Sequence, residues 1–424
     1  MSPRRAGSVR CGIPREPNRQ IPVTRADNRV LVAGAGPVGL VLALCLARRG
    51  HRVVVVEKLV DLLDQVRRAG TIHAATLEML DDIGLYERLE PRGIVAPLVH
   101  YWDRGAPEPI AVFDHGVLAG DTRFPYALQC DRLKLVEEAL KMASSDDLIE
   151  IRTGTELVGF RQESDSVTAA VETADGEHQE LQGTHLVGCE GAHSVVRKQL
   201  GIDFEGFAFP DRTMTLSVLF DFDAILPYGY RNYILDPVEW ANLFRWTDLW
   251  RVVLPADVNA DPEALLDDNV IEAGLQRFHP TGEPYEVVSK SLYTVHQRVA
   301  ETFRDGRVLL AGDAAHVNSP IGAMGMNSGI HDAVNLAAKL SSVLRGEAGD
   351  QVLDRYVRQR RHVAVAHVQA ITIRNKKLMA EADPEVRRRN RDELRRAADD
   401  PVLAREFLLR ASLISSVREA AEIL

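Results

Sequence analysis

Residues 30–57 read VLVAGAGPVGLVLALCLARRGHRVVVVE, and this stretch decides the fold. A short apolar strand leads into a glycine-rich turn, then an apolar helix, then a second apolar strand that ends in Glu57. The glycines in this context allow a tight turn and a close approach to a pyrophosphate, which the helix N-terminus would face; they are Gly34, Gly36 and Gly39. Glu57 would accept a hydrogen bond from a ribose hydroxyl. The stretch predicts a Rossmann-like α/β domain that binds a dinucleotide.

A second segment, residues 307–335, reads RVLLAGDAAHVNSPIGAMGMNSGIHDAVN. An apolar run brings Gly312 and Asp313 to the end of a predicted buried strand, and a glycine-containing loop leads to a helix from about Met326. Asp313 can hold the hydroxyl of a polyol, and the helix amides can face negative charge. A flavin offers both partners, because it has a ribityl chain and an N1–C2=O edge that becomes anionic on reduction. The segment therefore predicts that the dinucleotide is FAD.

A third segment, residues 188–197, reads GCEGAHSVVR. With the two segments above, it gives the chain a resemblance to the single-component (class A) FAD-dependent aromatic hydroxylases, the superfamily of para-hydroxybenzoate hydroxylase. The resemblance extends over about residues 29–345. In that family the segment carries an Asp-Gly pair that serves the FAD pyrophosphate region and the pyridine nucleotide. Glu190 stands at the position of the Asp, so the carboxylate is kept but lies one methylene further from the backbone.

The resemblance implies a reaction. NADH or NADPH would reduce FAD, and O2 would then supply one oxygen atom, through a flavin C4a-hydroperoxide, to a phenol-like or heteroaromatic substrate. Two alternatives stay open: a flavin epoxidase or oxidative decarboxylase that acts on a larger natural product, and a non-catalytic FAD-binding scaffold. Substrate-stimulated oxidation of NAD(P)H separates the scaffold from the enzymes.

The resemblance also implies cofactor contacts. Arg68 stands where the family has an arginine near the FAD pyrophosphate and the reductant, and Arg132 stands where many members have a flavin-contacting Gln. Either arginine is equally well explained as an exposed side chain. The backbone of the loop and the start of the helix that follows it would face the flavin C2=O; the residues are Gly325, Met326 and Asn327.

Four residues are candidates for the catalytic site on the same resemblance. Tyr233 matches the family's substrate tyrosine, and the carbonyl of Pro320 would lie beside the reacting centre. His73 could relay a proton, and Arg251 could supply a charge or could face solvent. Each also has an ordinary structural explanation, such as a buried tyrosine in a sheet or a proline in a turn.

The positions of the family's polar substrate clamp carry Phe244 and Trp246, which indicates a more aromatic pocket. His296 stands at a position that the family can use for the nicotinamide nucleotide, although a lone histidine is more often structural. Alternating apolar and polar residues over 212–256 predict an antiparallel sheet that forms a roof over the flavin.

The net charge, the apolar runs and the cysteine count restrict the possible partners. A net charge of −10 argues against nucleic acid, and no apolar run approaches membrane-spanning length. Four scattered cysteines have no metal-ligand spacing, so we expect reduced thiols in a cytoplasmic enzyme without a bound metal. The expected partners are a small aromatic substrate and O2, and a homodimer is left open.

These observations predict an α/β chain with a discontinuous cofactor domain. Residues 29–96, 129–211 and 299–345 would form the FAD-binding domain, and residues 97–128 and 212–298 would form a substrate-binding β-sheet domain. Residues 346–424 would be helical, and residues 1–28 a disordered basic extension.

Overall fold

The structure, a computed structural model, describes residues 29–63 and 70–424. The proposed N-terminal extension and Arg68 lie outside the described residues. The strands are β1 (Arg29–Ala33), β2 (Arg52–Val56), β3 (Thr71–Ile72), β4 (Ile94–Ala96), β5 (Leu98–Asp103), β6 (Ala111–Asp114), β7 (Ala127–Gln129), β8 (Ile149–Arg152), β9 (Thr155–Gln162), β10 (Val167–Thr173), β11 (His178–Gly183), β12 (His185–Gly188), β13 (Phe204–Val218), β14 (Arg231–Leu235), β15 (Ala241–Arg245), β16 (Trp250–Ala256), β17 (Val287–Ala300), β18 (Arg304–Asp305), β19 (Val308–Leu310) and β20 (His316–Val317).

The helices are α1 (Pro37–Ala47), α2 (Ala74–Asp82), α3 (Tyr86–Leu89), α4 (Arg132–Ser144), α5 (Val195–Gln199), α6 (Pro262–Leu265), α7 (Asp268–Phe278), α8 (Met324–Leu344), α9 (Gln351–Val363), α10 (Ala370–Met379), α11 (Pro384–Asp399), α12 (Pro401–Ala411) and α13 (Ile414–Glu422). A π-helical turn, Ala364–Gln369, joins α9 to α10. None of the described helices has both the length and the apolar character that a membrane span requires.

A six-stranded sheet forms the base of the cofactor domain. Its order is β18-β19-β12-β1-β2-β8, and all neighbours are parallel except the edge strand β18. The central strands are almost wholly buried, because helices cover one face of the sheet and the three-stranded antiparallel sheet β11-β10-β9 packs against the other. Helix α1 packs against α4 and α8, and ten of its eleven residues are buried. The predicted Rossmann-like fold is confirmed.

An eight-stranded sheet lies above the cofactor domain, in the order β20-β17-β13-β16-β15-β14-β5-β6. It is antiparallel throughout except where β14 runs parallel to β5. The predicted roof sheet is therefore confirmed. Two of its strands are continuous across the proposed domain boundaries, since β13 begins at Phe204 and β17 ends at Ala300, where these two residues pair. The boundaries after residues 211 and 298 thus fall inside strands.

The two faces of this sheet differ in chemistry because side chains alternate along each strand. One face carries an apolar cluster with Trp102, Leu243 and Trp250, against which helix α7 packs through Ile271 and Leu275. The opposite face, which we call the site face, carries aromatic and charged side chains. They are Tyr101, Arg231, Tyr233, Asn242, Phe244 and Arg251.

The C-terminal helices close one end of the site face. Leu394, Leu408 and Leu413 contribute to a second apolar cluster that also contains Tyr101 and Tyr233. The predicted helical tail is therefore present. Helix α11 is arginine-rich, and Leu394 is its one buried residue, so most of its charged side chains face solvent.

Candidate active site

The glycine-rich turn after β1 has the close backbone packing that the sequence predicts. Gly34 has a φ of +100°, and a Cβ there would lie 2.6 Å from the carbonyl oxygen of Cys189. A Cβ on Gly39 would lie 1.9 Å from the carbonyl oxygen of Gly34. At Gly36 a Cβ would meet nothing within 4 Å, and no side chain caps the N-terminus of α1. The turn therefore leaves open space beside the helix amides, which fits the pyrophosphate of a dinucleotide.

Glu57 lies at the end of β2, next to this turn. Its carboxylate accepts hydrogen bonds from the backbone N–H groups of Ala35, at 2.9 Å, and Leu59, at 3.0 Å. It therefore holds the rim of the turn from the side on which the Rossmann fold places a ribose.

Gly312 and Asp313 follow strand β19, which lies two strands away from β1 in the same sheet. Gly312 has a φ of +63°, and a Cβ there would lie 2.8 Å from the side chain of Val38. Asp313 is exposed and lines the larger of two cavities. Its carboxylate can therefore reach a hydroxyl of a bound polyol.

A buried ionic cluster fixes this turn from helix α8. Asp332 accepts hydrogen bonds from the N–H of Gly312 (3.0 Å), from Nε2 of His316 (2.7 Å) and from Nε of Arg360 (2.6 Å). Burial alone would raise the pKa of Asp332, but the charges and hydrogen bonds of His316 and Arg360 more than offset it and lower the pKa to about 2. Asp332 is thus an anion that positions the Gly-Asp turn. Sequence reasoning missed it.

The loop from Pro320 to Ala323 reaches helix α8 through a left-handed residue, Ala323, with a φ of +57°. Asn327 is fully buried, and its side chain accepts from the N–H of His73 and donates to the carbonyls of Thr71 and Ala323. The Asn327 side chain is therefore a brace between the helix and strand β3. Gly325 and Met326 line the larger cavity, as expected for residues that face the flavin.

Glu190 caps helix α5. Its Oε1 accepts from Oγ of Ser194 (2.9 Å) and from the N–H of Val196 (2.8 Å), and its Oε2 is buried with no hydrogen-bond partner within residues 29–63 and 70–424. Burial raises the pKa of Glu190. The extra methylene relative to Asp thus lets the carboxylate turn back onto its own helix.

The large cavity has a volume of about 650 Å³ and lies between the Gly-Asp segment and the site face. Asp313, Pro320, Gly325 and Met326 line it from the cofactor domain. The site face lines it with Asn242, Phe244, Arg251 and Val253, and strand β17 with Tyr293 and His296. The predicted residues Pro320 and Arg251 therefore share one cavity with the predicted flavin contacts.

Arg251 does not face solvent, because only 1% of its surface is exposed. Its guanidinium donates to the hydroxyls of Ser217 and Ser289 and lies 5.3 Å from the ring centroid of Trp246. Trp246 thus supports the arginine, while Phe244 lines the cavity.

The small cavity, of about 450 Å³, lies at the other end of the site face, against the C-terminal helices. Tyr233 and His73 line it, so the structure separates them from Pro320 and Arg251. Arg231 also lines it, and sequence reasoning missed this residue. A signal was available, since Arg231 lies two residues before Tyr233 in a short strand and so shares its face.

Two further observations concern the remaining predictions. Arg132 is the half-buried first residue of α4 and lines neither cavity. Within residues 29–63 and 70–424, the group best arranged for a metal ion is His362, His367 and Glu419, in which the glutamate already pairs with both imidazoles. Neither observation assigns a role in the site.

Comparison with known proteins identifies the family. The FAD binding domain family matches residues 27–371, which is more than half of the chain. The para-nitrophenol 4-monooxygenase of Pseudomonas sp. (strain WBC-3) is 33% identical over 388 residues, which cover 90% of this chain and 94% of that protein. The chain belongs to the class A FAD-dependent aromatic hydroxylases. Its predicted family, fold class, cofactor and enzymatic character are confirmed.

Two other relatives place the hydroxylase within this class. The crystal structure of p-nitrophenol 4-monooxygenase PnpA from Pseudomonas putida DLL-E4 is 32% identical, with a TM-score of 0.86, and covers 90% of this chain and 98% of that one. The 3-(3-hydroxy-phenyl)propionate/3-hydroxycinnamic acid hydroxylase of Mycobacterium avium (strain 104) is 32% identical over 368 residues. That match covers 82% of this chain but only 61% of the longer relative.

Proposed function

We propose that the hydroxylase inserts one oxygen atom from O2 into a compact phenol-like ring that lies in the large cavity beside Pro320. NADH or NADPH supplies two electrons, and the second oxygen atom leaves as water. One observation carries the proposal: the Gly-Asp segment and the site face line the same cavity, so that a flavin and an aromatic ring can meet there.

The residues present fit FAD. The turn at Gly34, Gly36 and Gly39 would hold the pyrophosphate, and Glu57 would accept from the adenosine ribose. Asp313 would hold the ribityl chain, and the backbone at Gly325 and Met326 would face the pyrimidine edge. The Asn327 side chain keeps this helix start in place. When bound, FAD supplies the redox chemistry, accepting a hydride from NAD(P)H and activating O2.

The side chains of the large cavity would orient the ring and exclude water. Phe244 and Val253 form an apolar wall. Oδ1 of Asn242 is buried beside them without a hydrogen-bond partner among the described residues, so it can accept from a substrate hydroxyl. Arg251 is fixed by Ser217 and adds positive charge on the same side. Pro320 would place its carbonyl next to the ring.

The volume favours a compact substrate over a polycyclic natural product. Asp313, Gly325 and Met326 are among the residues that line the large cavity, so part of its 650 Å³ has to receive the flavin ring system. The remaining space is bounded by the site face and suits one aromatic ring with small substituents. The epoxidase or decarboxylase alternative needs more room above the flavin.

We also propose a reducing, cytoplasmic environment for the hydroxylase. Cys45, Cys130 and Cys189 are free thiols in the described part of the chain, and burial raises the pKa of the first two to about 11 and about 12. Protonated, buried thiols are what a reducing compartment preserves.

The test is anaerobic stopped-flow reduction of the FAD-loaded protein by NADH and by NADPH, with and without a panel of phenols. We expect at least one phenol to accelerate flavin bleaching strongly. A protein that binds FAD but is never accelerated by any single-ring phenol, and is accelerated by polycyclic substrates instead, contradicts the compact-substrate proposal.

A further inference from the structure

The small cavity lies where the end of the site face meets helices α10, α11 and α12. Its floor is aromatic, because Tyr101 and Tyr233 stack with ring centroids 5.2 Å apart and an interplanar angle of 20°. The ring of Phe244, which lines the large cavity, packs edge-on against Tyr233 at 5.8 Å. The Tyr233 and Phe244 rings therefore stand between the two cavities, and the loop that contains Pro320 and Gly322 borders both.

Arg231 introduces a positive charge into this cavity that none of the described residues neutralises. Only 4% of its surface is exposed, and its Nε and Nη1 are buried without a hydrogen-bond partner in residues 29–63 and 70–424. Among the described residues no carboxylate forms an ion pair with it. A buried guanidinium without a counter-charge is costly, since desolvation is not offset by an interaction inside the protein. A ligand that brings an anionic oxygen group would supply the missing partner.

The charged side chains that line the small cavity, with Arg231 counted among them, have a net positive charge. Four basic side chains line it against two acidic ones; they are Arg231, Arg374, Lys377 and Arg410, and Glu381 and Glu393. Arg374, Lys377 and Arg410 are exposed, which leaves Arg231 as the cation at the buried end. The charge of the cavity therefore favours anions, and Arg231 is its most buried positive charge.

His73 adds a hydrogen-bond acceptor beside this cation. Its Nε2 lies 2.8 Å from the carbonyl oxygen of Gly322, which can only accept, so Nε2 carries the proton. Burial and the charge of Arg231 lower the pKa of His73 to about 3, so the ring is neutral near pH 7. Its Nδ1 is then an acceptor, and it has no partner in the part of the chain that the structure describes.

We propose that the small cavity binds an anionic oxygen group of the aromatic substrate, a carboxylate or a phenolate, and that Arg231 determines this specificity. This inference rests on the proposed function, because it assigns one end of the same substrate. The ring lies at the loop of Pro320 and Gly322, which borders both cavities, and the anionic group extends from there to Arg231. His73 accepts from any hydroxyl that accompanies it.

The experiment compares an acid with its neutral ester. Binding of 3-(3-hydroxyphenyl)propionate and of its methyl ester to the FAD-loaded protein is measured by titration calorimetry, and 4-nitrophenolate serves as the probe for a phenolate. We expect Arg231→Gln to weaken binding of whichever anion the wild type binds best by about 10- to 100-fold, the effect of losing a charge-assisted hydrogen bond. Binding of the methyl ester should change by less than about threefold.

Two further variants keep the test decisive. Arg374→Gln removes an exposed cation from the same cavity and should change anion binding by less than about threefold. Arg231→Lys retains the charge, so it should fold and give an intermediate loss even if Arg231→Gln does not fold. The inference is overturned if the Arg231 variants lose the same affinity for the acid and for the ester, or if their affinity for the anion is unchanged.

The outcomes also separate this inference from the proposed function. If the wild type oxidises NAD(P)H in response to phenols but Arg231→Gln keeps the preference for the anion, only the role of Arg231 fails. If no aromatic compound stimulates the wild type, the proposed function fails, whatever Arg231 binds.

Discussion

Arg231 and Arg251 lie on the same face of the eight-stranded sheet, two strands apart, with Phe244 paired between them. The strand spacing sets their backbones about 10 Å apart. Both arginines are buried, but Arg251 is held by serine hydroxyls and lines the large cavity, whereas Arg231 lines the small one. The site face therefore presents one cation to each cavity, and the ring of Phe244 stands between the two.

Replacing Phe244 should widen the substrate range. Phe244→Ala removes the ring that packs between Tyr233 and the large cavity. We expect bulkier phenols to become substrates, and the free energy of unfolding to fall by about 3 kcal/mol, as for other large-to-small changes at buried positions. Rates of NAD(P)H oxidation with a graded series of phenols, and urea denaturation, measure the two effects.

Phe222→Ala is the matched control for this change. Phe222 is fully buried in the apolar cluster on the opposite face of the sheet. It should lower stability by a similar amount and leave the order of substrate preference unchanged. If both variants accept the same wider range of phenols, a general loosening of the fold, and not the position of Phe244, is responsible.

Two glycines of the first turn should respond to alanine in different ways. Gly39→Ala brings a Cβ to within 1.9 Å of a backbone oxygen, so the turn cannot form and stability should fall. The methyl of Gly36→Ala meets no described residue within 4 Å, so the protein should fold normally but lose FAD affinity by tenfold or more, because the methyl occupies the open side of the turn. Flavin content and thermal melting of the apoprotein measure both.

Gly120→Ala is the control, since it also meets nothing within 4 Å and lies away from the turn. It should change neither FAD affinity nor melting temperature. Normal FAD affinity in Gly36→Ala would contradict the proposed pyrophosphate position.

The Asp332 anion should contribute to stability. Asp332→Asn leaves Arg360 buried without its counter-charge, so we expect a loss of about 3 kcal/mol at pH 7. Because the pKa is lowered in the folded protein, the contribution is present above the ordinary value of 3.8 and is lost as the pH falls towards about 2. Urea denaturation of both proteins across this pH window should show the difference narrowing.

Asp354→Asn is the comparison for that loss. Asp354 pairs with Arg304, but 55% of its side chain is exposed, so the expected loss is below about 1 kcal/mol. A similar small loss for Asp332→Asn would contradict the role of the buried cluster.

Glu190 should be replaceable by its neutral amide. Glu190→Gln keeps an oxygen that can accept from Ser194 and Val196 and removes a charge whose burial raises the pKa. A raised pKa means that the carboxyl costs stability as the pH rises, so the amide should match or exceed wild type at pH 8 and gain less at pH 5. Melting temperatures at the two pH values measure this.

Glu190→Ala removes the hydrogen bonds from Ser194 and Val196 at the start of helix α5, so it should lower stability by about 1 kcal/mol at both pH values. If Glu190→Gln is as unstable as Glu190→Ala at pH 8, the buried charge itself is needed, and the capping explanation is wrong.

The cofactor half of the site could be predicted from sequence because its signals are local. Gly39 is required by a backbone contact with Gly34 inside one strand–turn–helix unit, and Gly34 and Gly312 each adopt a positive φ in their turns, so all three leave a fixed spacing in the chain. The substrate half depends on which strands are neighbours. Tyr233 was predicted as a substrate residue, but only the pairing of β14 with β5 places it over the small cavity rather than beside Pro320.

Arg231 and Asp332 were missed for the same physical reason. An arginine in a strand or an aspartate in a helix looks like any surface charge until distant elements bury it. For Arg231 those elements are β5 and the C-terminal helices, and for Asp332 they are the Gly-Asp turn and Arg360 on α9. The sequence also did not show whether Arg251 is exposed or buried. Hydrogen bonds to Ser217 and Ser289 on other strands hold its side chain in the buried position.

The central claim is that this chain oxygenates a phenol with FAD, NAD(P)H and O2, and the most direct measurement follows the oxygen. The FAD-loaded protein is supplied with NADH or NADPH, a panel of single-ring phenols and ¹⁸O-labelled O2, and the products are weighed by mass spectrometry. The account predicts a phenol that gains one labelled oxygen atom per NAD(P)H oxidised. Oxidation of NAD(P)H that yields only hydrogen peroxide with every phenol, or a protein that binds no FAD, would contradict it.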